Sequence, residues 1–141
     1  MHEKIELNGL TRLAKQVYLA NKEKGFWPED GSADVNFGER IALITSELSE
    51  ALEAHRNGRK PVDLSLFESA LQRTKANPDT SPETYATLFK AHVKDSVEDE
   101  LADAIIRILD LCGGKGIDIA SHIAYKLKYN QTRPHKHGKL Y

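Results

Sequence analysis

The chain has 141 residues, of which 40% are hydrophobic and 29% charged, with a formal net charge of -1 and a single cysteine, Cys112. These values fit one soluble domain that can bury a core, and the single cysteine excludes a disulfide framework and a cysteine-based zinc site. The net charge argues against general nucleic-acid binding, although the basic residues are unevenly distributed. Because no apolar run is long enough to span a membrane and the start of the chain lacks the apolar segment of a signal peptide, we expect a cytoplasmic protein without a membrane partner.

The first predicted element is a helix over residues 8–24, where apolar residues recur at helical spacing. Asn8 can cap its start, and Gly25 ends it. The proline- and glycine-containing segment 26–32 is predicted to be a loop. It holds the only tryptophan, Trp27. This side chain either belongs to a small aromatic cluster that caps the bundle or forms a wall on which a flat ligand such as a nucleobase stacks.

The central helix is predicted over residues 41–56. Its apolar residues fall on one face and are Ile41, Ile44, Leu48, Ala51 and Leu52. Glu47 and Glu50 lie together on the flank of this face, and neither has a basic residue four positions away. Two adjacent carboxylates without a countercharge repel each other unless a cation or a proton lies between them. The pair is therefore half of a candidate metal site, and the alternative is that both side chains are merely solvated.

Residues 58–82 are interpreted as an insertion in the domain. The segment contains a short predicted helix over residues 62–71 and a turn-rich stretch over residues 75–82. Ser81 and Pro82 are typical of the N-cap and the first position of the helix that follows. We assign no function to this insertion, which could cover the site or build an oligomer contact.

A second helix with paired acids is predicted over residues 95–112, and the glycine pair 113–114 is expected to end it. Glu100 and Asp103 lie on the flank of its apolar face. An ion pair between Asp103 and Arg107 would be an ordinary exposed contact with a small effect on stability. It would leave Glu100 without a countercharge. The residues of the apolar face are Val97, Leu101, Ala104, Ile105, Ile108, Leu111 and Cys112.

The two helices together predict a shared metal centre. If they pack antiparallel through their apolar faces, four carboxylates meet across a groove, those of Glu47, Glu50, Glu100 and Asp103. Charges that close raise one another's pKa and destabilise the fold unless divalent cations neutralise them. Carboxylate ligands without Cys or His favour Mg²⁺, with Mn²⁺ as an alternative, over zinc or copper. The absence of Glu-x-x-His pairs on these helices argues against a di-iron bundle.

The last predicted helix begins after Asp118, and a basic tail follows from residue 134. Cations near a helix C-terminus interact favourably with the helix dipole, which would explain the basic residues in structural terms. The alternative is a polyanion site, where lysine supplies a point charge, arginine a fork for phosphate, and asparagine and tyrosine neutral donors. The candidate residues for this site are Lys126, Tyr129, Asn130 and, beyond them, Arg133.

Glu47-x-x-Glu50 and Glu100-x-x-Asp103 resemble the ExxE…ExxD signature of the MazG-like all-α nucleoside triphosphate pyrophosphohydrolases. The surrounding segments, SELSEALEA and EDELADAIIRILDL, also resemble the metal-binding helices of that family. The segment KYNQTRPHKHG is similar to the closing segment of one branch. The resemblance covers most of the chain, and the insertion is its least typical part.

This resemblance implies a single all-α domain over residues 1–141, a bundle of four to five main helices completed by association into a dimer or tetramer. It also implies Mg²⁺ bound by the four acids. The reaction would be hydrolysis of an NTP or dNTP between the α and β phosphates, and Glu47 or Glu50 could take the proton of the attacking water. Residues that match substrate-contacting positions are Lys126, Asn130 and Arg133 on the phosphate side, and Trp27 and Asn36 for the base and sugar.

Two alternatives stay open. The same scaffold could hydrolyse another pyrophosphate, such as phosphoribosyl-ATP or a damaged dNTP, and the loop around Trp27 and the insertion would decide this. The chain could instead be a non-catalytic helical binding or assembly module whose acids are solvated and whose basic tail contacts an acidic partner or nucleic acid. The carboxylates without a countercharge on both helices argue against this second alternative.

Overall fold

The computed structural model describes residues 7–74 and 81–140, and this part of the chain is helical without strands. The all-α prediction is therefore confirmed for the described residues, while the turn-rich stretch at 75–80 lies outside them. None of the described helices is both long enough and apolar enough to cross a membrane. The helices are α1 (Asn8–Glu23), α2 (Phe37–Arg56), α3 (Leu64–Arg73), α4 (Pro82–His92), α5 (Val97–Lys115) and α6 (Ile119–Gln131), and a short 3₁₀ turn follows at His135–Gly138.

Local capping residues explain where most of these helices begin. The predicted cap Ser81 accepts a hydrogen bond from the backbone N–H of Thr84, and Asp118 likewise accepts one from the N–H of Ser121. Asp63 caps α3 in the same way. The prediction that Asn8 caps α1 is wrong, because the helix already begins at Asn8 and Leu7 occupies the N-cap position.

Contacts between Cα atoms divide the chain into two compact units. The terminal unit comprises the chain up to Asn36 together with the chain from Ile108 onward, and the central unit is Phe37–Arg107. Helix α5 contributes residues to both units, whereas α2, α3 and α4 belong to the central unit alone.

Trp27 is the centre of the terminal unit's core. Its side chain is only 3% exposed. The indole Nε1–H donates a hydrogen bond of 2.8 Å to Oδ1 of the buried Asp110. The ring of Tyr18 meets the indole edge to face, with 5.1 Å between ring centroids. The loop after α1 is thus attached to α5 by a buried polar contact as well as by packing.

The glycine pair Gly113 and Gly114 lies inside α5, so the prediction that it ends the helix is wrong. The helix continues to Lys115, and Gly116 with a φ of +67° follows it. A Cβ atom on Gly113 would lie 2.5 Å from the carbonyl oxygen of Ala14, and one on Gly114 would lie 2.1 Å from the Trp27 ring. Both glycines are therefore explained by close packing within the terminal unit and not by helix termination.

The predicted insertion contains α3, which packs against α4, the helix that follows the insertion, to form a helical hairpin in the central unit. Phe67 of α3 is buried between the two helices. The connection before α3 is attached to the start of α5 by two hydrogen bonds. The Arg59 guanidinium donates to the carbonyl oxygen of Lys94 over 2.9 Å, and the N–H of Val62 donates to Glu98 over 3.1 Å.

The buried face of α2 differs from the predicted one. Ile44 and Ala51 are buried as expected, but Glu47 shares their side of the helix. Three of the predicted core residues are exposed in the single chain, namely Ile41, Leu48 and Leu52. The helix is thus rotated so that an acid points inward and large aliphatic side chains face solvent.

Helix α5 repeats this pattern. Ala104, Leu111 and Cys112 are buried as predicted, whereas Leu101, Ile105 and Ile108 are exposed. Glu100, which was placed on the flank, is buried instead, and Asp110 is buried as well. On α6, Leu127 is exposed.

Candidate functional site

The central unit contains a cavity of about 500 Å³ between α2, α4 and the start of α5, which we call the acid pocket. Six carboxylates line it, together with two lysines and part of α4. The two glutamates of α2 come from one side, and the acids at the start of α5 come from the other. The six acids are Glu47, Glu50, Asp95, Asp99, Glu100 and Asp103.

Three of the four predicted metal-binding acids converge in this pocket. Glu47, Glu50 and Glu100 each offer an oxygen atom, and these atoms lie within 4.8 Å of one another. Glu47 and Glu100 are only 6% and 5% exposed, whereas Glu50 is exposed. Because positions i and i+3 share one side of a helix, α2 presents both of its glutamates to the same carboxylate of α5.

A second group of acids extends the first along α5. Asp95, Asp99 and Glu100 also offer oxygen atoms within 4.8 Å of one another. The fourth predicted ligand, Asp103, lines the pocket but belongs to neither of these two groups. Sequence reasoning interpreted Asp95 and Asp99 only as helix-start residues. The four-residue spacing of acids at 95, 99 and 103, which places them on one side of a helix, was the signal available to find them.

Asp99 also has a structural role at the start of α5. Its Oδ2 atom accepts a hydrogen bond of 2.9 Å from the N–H of Asp95, while its own N–H donates to Oγ of the buried Ser96 over 3.1 Å. This reciprocal arrangement resembles a capping box. It holds the first turn of α5, and with it Glu100, in a defined position beside the pocket.

The electrostatics of the pocket disfavour its fully ionised state. Burial, together with the negative charges of Glu50, Asp99 and Glu47, raises the pKa of Glu100 from its ordinary value of 4.5 to about 7. Burial followed by the charges of Asp99 and Glu47 also raises the pKa of Asp103, which the charge of Arg107 opposes. Either a proton or a cation would therefore relieve the repulsion among these carboxylates.

Glu47 has a countercharge that sequence reasoning missed. The Arg107 Nε–H donates to Glu47 Oε1 over 2.6 Å. The expectation that Glu47 lacks a basic partner considered only residues on its own helix. The partner comes from α5, sixty positions away in the sequence. Arg107 therefore neutralises Glu47 while Glu50 and Glu100 still face each other in the same carboxylate group.

Candidate substrate residues at the end of α6 lie in the terminal unit. The Lys126 Nζ atom lies over the ring of Tyr129 at 4.9 Å from its centroid, and the Arg133 guanidinium lies 5.9 Å from the same centroid. The structure thus brings three of these residues together. Asn130 is half-buried, and its Oδ1 atom has no hydrogen-bond partner within the described part of the chain.

The buried position of Trp27 disfavours base stacking, one of the two interpretations of this residue. Stacking of a base needs an open ring face, but the buried indole is covered by the edge of Tyr18 and by Gly114. Of the two sequence-based interpretations, the small aromatic cluster is the one observed. Asn36, the other residue considered for base and sugar, is exposed and directly precedes α2.

Comparisons of the chain with protein-family models, with curated proteins and with solved structures found no match. The geometry of the acid pocket and the two acid motifs therefore carry the functional proposal.

Proposed function

We propose that this chain is a Mg²⁺-dependent nucleoside triphosphate pyrophosphohydrolase of the MazG-like all-α kind. It would cleave an NTP or dNTP between the α and β phosphates and release pyrophosphate. The observation that carries the proposal is the convergence of Glu47, Glu50 and Glu100, whose oxygen atoms lie within 4.8 Å of one another although they come from two helices. The resemblance of the two acid motifs to that family supplies the choice of reaction.

The donor set of the pocket fits a hard divalent cation. All of the candidate ligands are carboxylates, which Mg²⁺ and Mn²⁺ prefer, and none of the described residues that line the pocket is a Cys or His that would favour a softer metal. Two of the carboxylates, Glu47 and Glu100, are buried, and the raised pKa of Glu100 shows that burial and the neighbouring carboxylates disfavour its ionised form. We assign Glu47, Glu50 and Glu100 as ligands, with Asp103 and Asp99 as the adjacent acids.

Other roles in the proposed reaction, proton transfer and contact with the phosphates, are assigned to side chains of the protein. When bound, Mg²⁺ would neutralise phosphate charge and acidify a bound water. Arg107 already holds one oxygen of Glu47, which fixes that side chain and makes Glu50 the better candidate to accept the proton of the attacking water. The resemblance alone makes Lys126, Asn130 and Arg133 candidates for contact with the phosphates, as two cations and an amide.

A second copy of this chain is proposed to cover the exposed aliphatic side of the central unit. Leu48 and Leu52 on α2 and Ile105 on α5 are each about half exposed, and burial of such side chains is worth roughly 1.5–3 kcal/mol each. We expect light scattering after size exclusion to give a dimer or tetramer, which the double variant Leu48→Glu/Leu52→Glu should convert to monomer. The control Leu64→Glu, an exposed leucine of α3, should leave the mass unchanged. A monomeric wild type at micromolar concentration would contradict this proposal.

The reaction is tested by identifying the products from a panel of NTPs and dNTPs with Mg²⁺. We expect pyrophosphate and nucleoside monophosphate, with turnover reduced about 100-fold or more by Glu50→Gln and by Asp103→Asn, because each removes an acid from the pocket. Glu68→Gln, an exposed glutamate of α3, is the matched control and should retain wild-type turnover. Phosphoribosyl-ATP and oxidised dNTPs belong in the panel, since the same scaffold could act on either. Orthophosphate as the product would contradict the proposed bond cleavage.

A further inference from the structure

One wall of the acid pocket is formed by α4, the second helix of the hairpin and the helix that follows the predicted insertion. Tyr85, Phe89 and Lys90 of this helix line the same cavity as the carboxylates of α2 and α5. Tyr85 and Phe89 are four positions apart, which places them on one side of α4, and Lys90 directly follows Phe89. The hairpin therefore contributes α4 to the candidate site.

The aromatic side chains of this wall, Tyr85 and Phe89, pack against each other and against Phe67 of α3. The Tyr85 and Phe89 rings lie nearly parallel, with an interplanar angle of 19° and 6.3 Å between centroids. Phe67 of α3, which is 8% exposed, meets both rings edge to face at 5.8 and 6.1 Å. Tyr85 nevertheless keeps 45% of its surface exposed. Tyr85 is thus a partly exposed ring that lines the cavity and packs against two other aromatic side chains, which suits it to stacking on a ligand.

The charges around the wall are arranged for a ligand that combines a ring with phosphates. Lys90 lines the pocket one position after Phe89, and Lys94 lines it while paired with Asp95. The six carboxylates of α2 and of the start of α5 line the same cavity. Divalent cations that accompany a polyphosphate would neutralise the carboxylates, and a lysine would contact the outer oxygens of the polyphosphate. The cavity volume of about 500 Å³ lies in the usual range for small-molecule sites.

We propose that Tyr85, supported by Phe89, is the surface on which the nucleobase of the substrate stacks, and that Lys90 contacts its phosphates. This inference rests on the proposed function, since it names the part of the nucleotide that α4 recognises. Base recognition is thereby assigned to Tyr85 on α4 and not to the buried Trp27. Because stacking on tyrosine tolerates any base, Tyr85 would not discriminate among bases. Contacts with other groups would determine the preferred base.

The inference is tested by measuring binding, with Mg²⁺ present, of α,β-methylene dNTP analogues and of inorganic tripolyphosphate by titration calorimetry. The analogues carry a base but resist cleavage, and tripolyphosphate carries only the phosphates. Tyr85→Ala should weaken analogue binding about tenfold or more, as stacking on aromatic side chains does in other sites, and should change tripolyphosphate binding less than twofold. Tyr85→Phe should bind both ligands as wild type does, because the ring is retained.

Tyr125→Ala is the matched control, since it removes an exposed tyrosine of α6 that does not line the acid pocket. Equal weakening of both ligands by Tyr85→Ala, or no weakening of either, would overturn the inference. So would a wild type that binds the analogues no more tightly than tripolyphosphate. The outcome is separable from the proposed reaction. Base-dependent binding lost in Tyr85→Ala supports the stacking wall even without pyrophosphate release, and release that is unchanged in Tyr85→Ala at low substrate overturns the wall while the reaction stands.

Discussion

Replacing Glu100 by glutamine should stabilise the metal-free protein at pH 8 and remove most of its stabilisation by Mg²⁺. Glu100 is buried among other carboxylates, and its ionised form faces Glu50, Asp99 and Glu47. Glutamine keeps the size of the side chain and removes the charge. We expect an increase in the free energy of unfolding on the order of 2 kcal/mol without metal, seen as a rise of a few degrees in Tm.

The pH dependence of stability tests the same prediction independently, because the direction of the change can be worked out. The pKa of Glu100 rises from 4.5 to about 7 on folding, so the folded state binds the extra proton between these values. Its stabilising contribution is complete below pH 4.5 and is lost as the pH rises through 7. Metal-free wild type should therefore lose stability over this interval, and Glu100→Gln should lose less. If Mg²⁺ binds the ionised carboxylates as proposed, its stabilisation of wild type should grow with pH and reach roughly 2.7 kcal/mol at a hundredfold excess over Kd.

Thermal unfolding at pH 5 to 8, with and without Mg²⁺, measures both effects. Glu68→Gln removes a charge from the exposed side of α3 and is the control for a general change in net charge. If Glu100→Gln were less stable than wild type throughout this range, or if Mg²⁺ stabilised both proteins equally, Glu100 would not be an uncompensated carboxylate of the site.

Alanine in place of Trp27 should cost about 3–5 kcal/mol of stability, the largest loss we expect from a single substitution in the terminal unit. The change empties the volume of a buried indole, and it leaves Oδ1 of the buried Asp110 without the hydrogen bond from Nε1. Trp27→Phe should cost less, because it preserves most of the packing and loses the hydrogen bond. Urea denaturation followed by circular dichroism measures both variants.

The same experiment separates the two interpretations of Trp27. Tyr125→Ala removes an aromatic side chain that is exposed and should change stability by about 0.5 kcal/mol or less. A Trp27→Ala protein that unfolds like wild type but binds the dNTP analogues more weakly would show that the indole is a ligand surface after all. We expect the opposite pattern, in which stability falls sharply in Trp27→Ala and affinity for the analogues is unchanged in Trp27→Phe.

Helices and their caps could be predicted from the sequence because their signals are local. Ser81 before Pro82 and Asp118 before α6 act on N–H groups three residues away, and both caps form as predicted. The i, i+3 spacing likewise placed Glu47 beside Glu50 without knowledge of the tertiary structure. The start of α2 was missed by four residues, since Phe37 to Arg40 carry no strong helical periodicity of their own.

The direction in which each helix faces could not be predicted, because it depends on what lies opposite. Periodicity placed Leu48 and Leu52 in the core, yet both are exposed and Glu47 is buried. Arg107 reaches Glu47 from another helix, which no rule about neighbours on one helix could reveal. The wall formed by Tyr85 was missed for the same reason, since nothing local to α4 indicates that it borders the acids of α2 and α5.

The central claim, that the acid pocket binds a divalent cation, is tested most directly by the anomalous scattering of Mn²⁺ in crystals of the protein. We predict a Mn²⁺ peak bounded by carboxylate oxygens of Glu47, Glu50 and Glu100, which is lost in crystals of Glu100→Gln. The absence of such a peak at millimolar Mn²⁺, with Glu100 hydrogen-bonded to Glu47 as a protonated carboxyl, would contradict the claim. The repulsion among these acids would then be relieved by a proton, and the proposed metal-dependent hydrolysis would lose its basis.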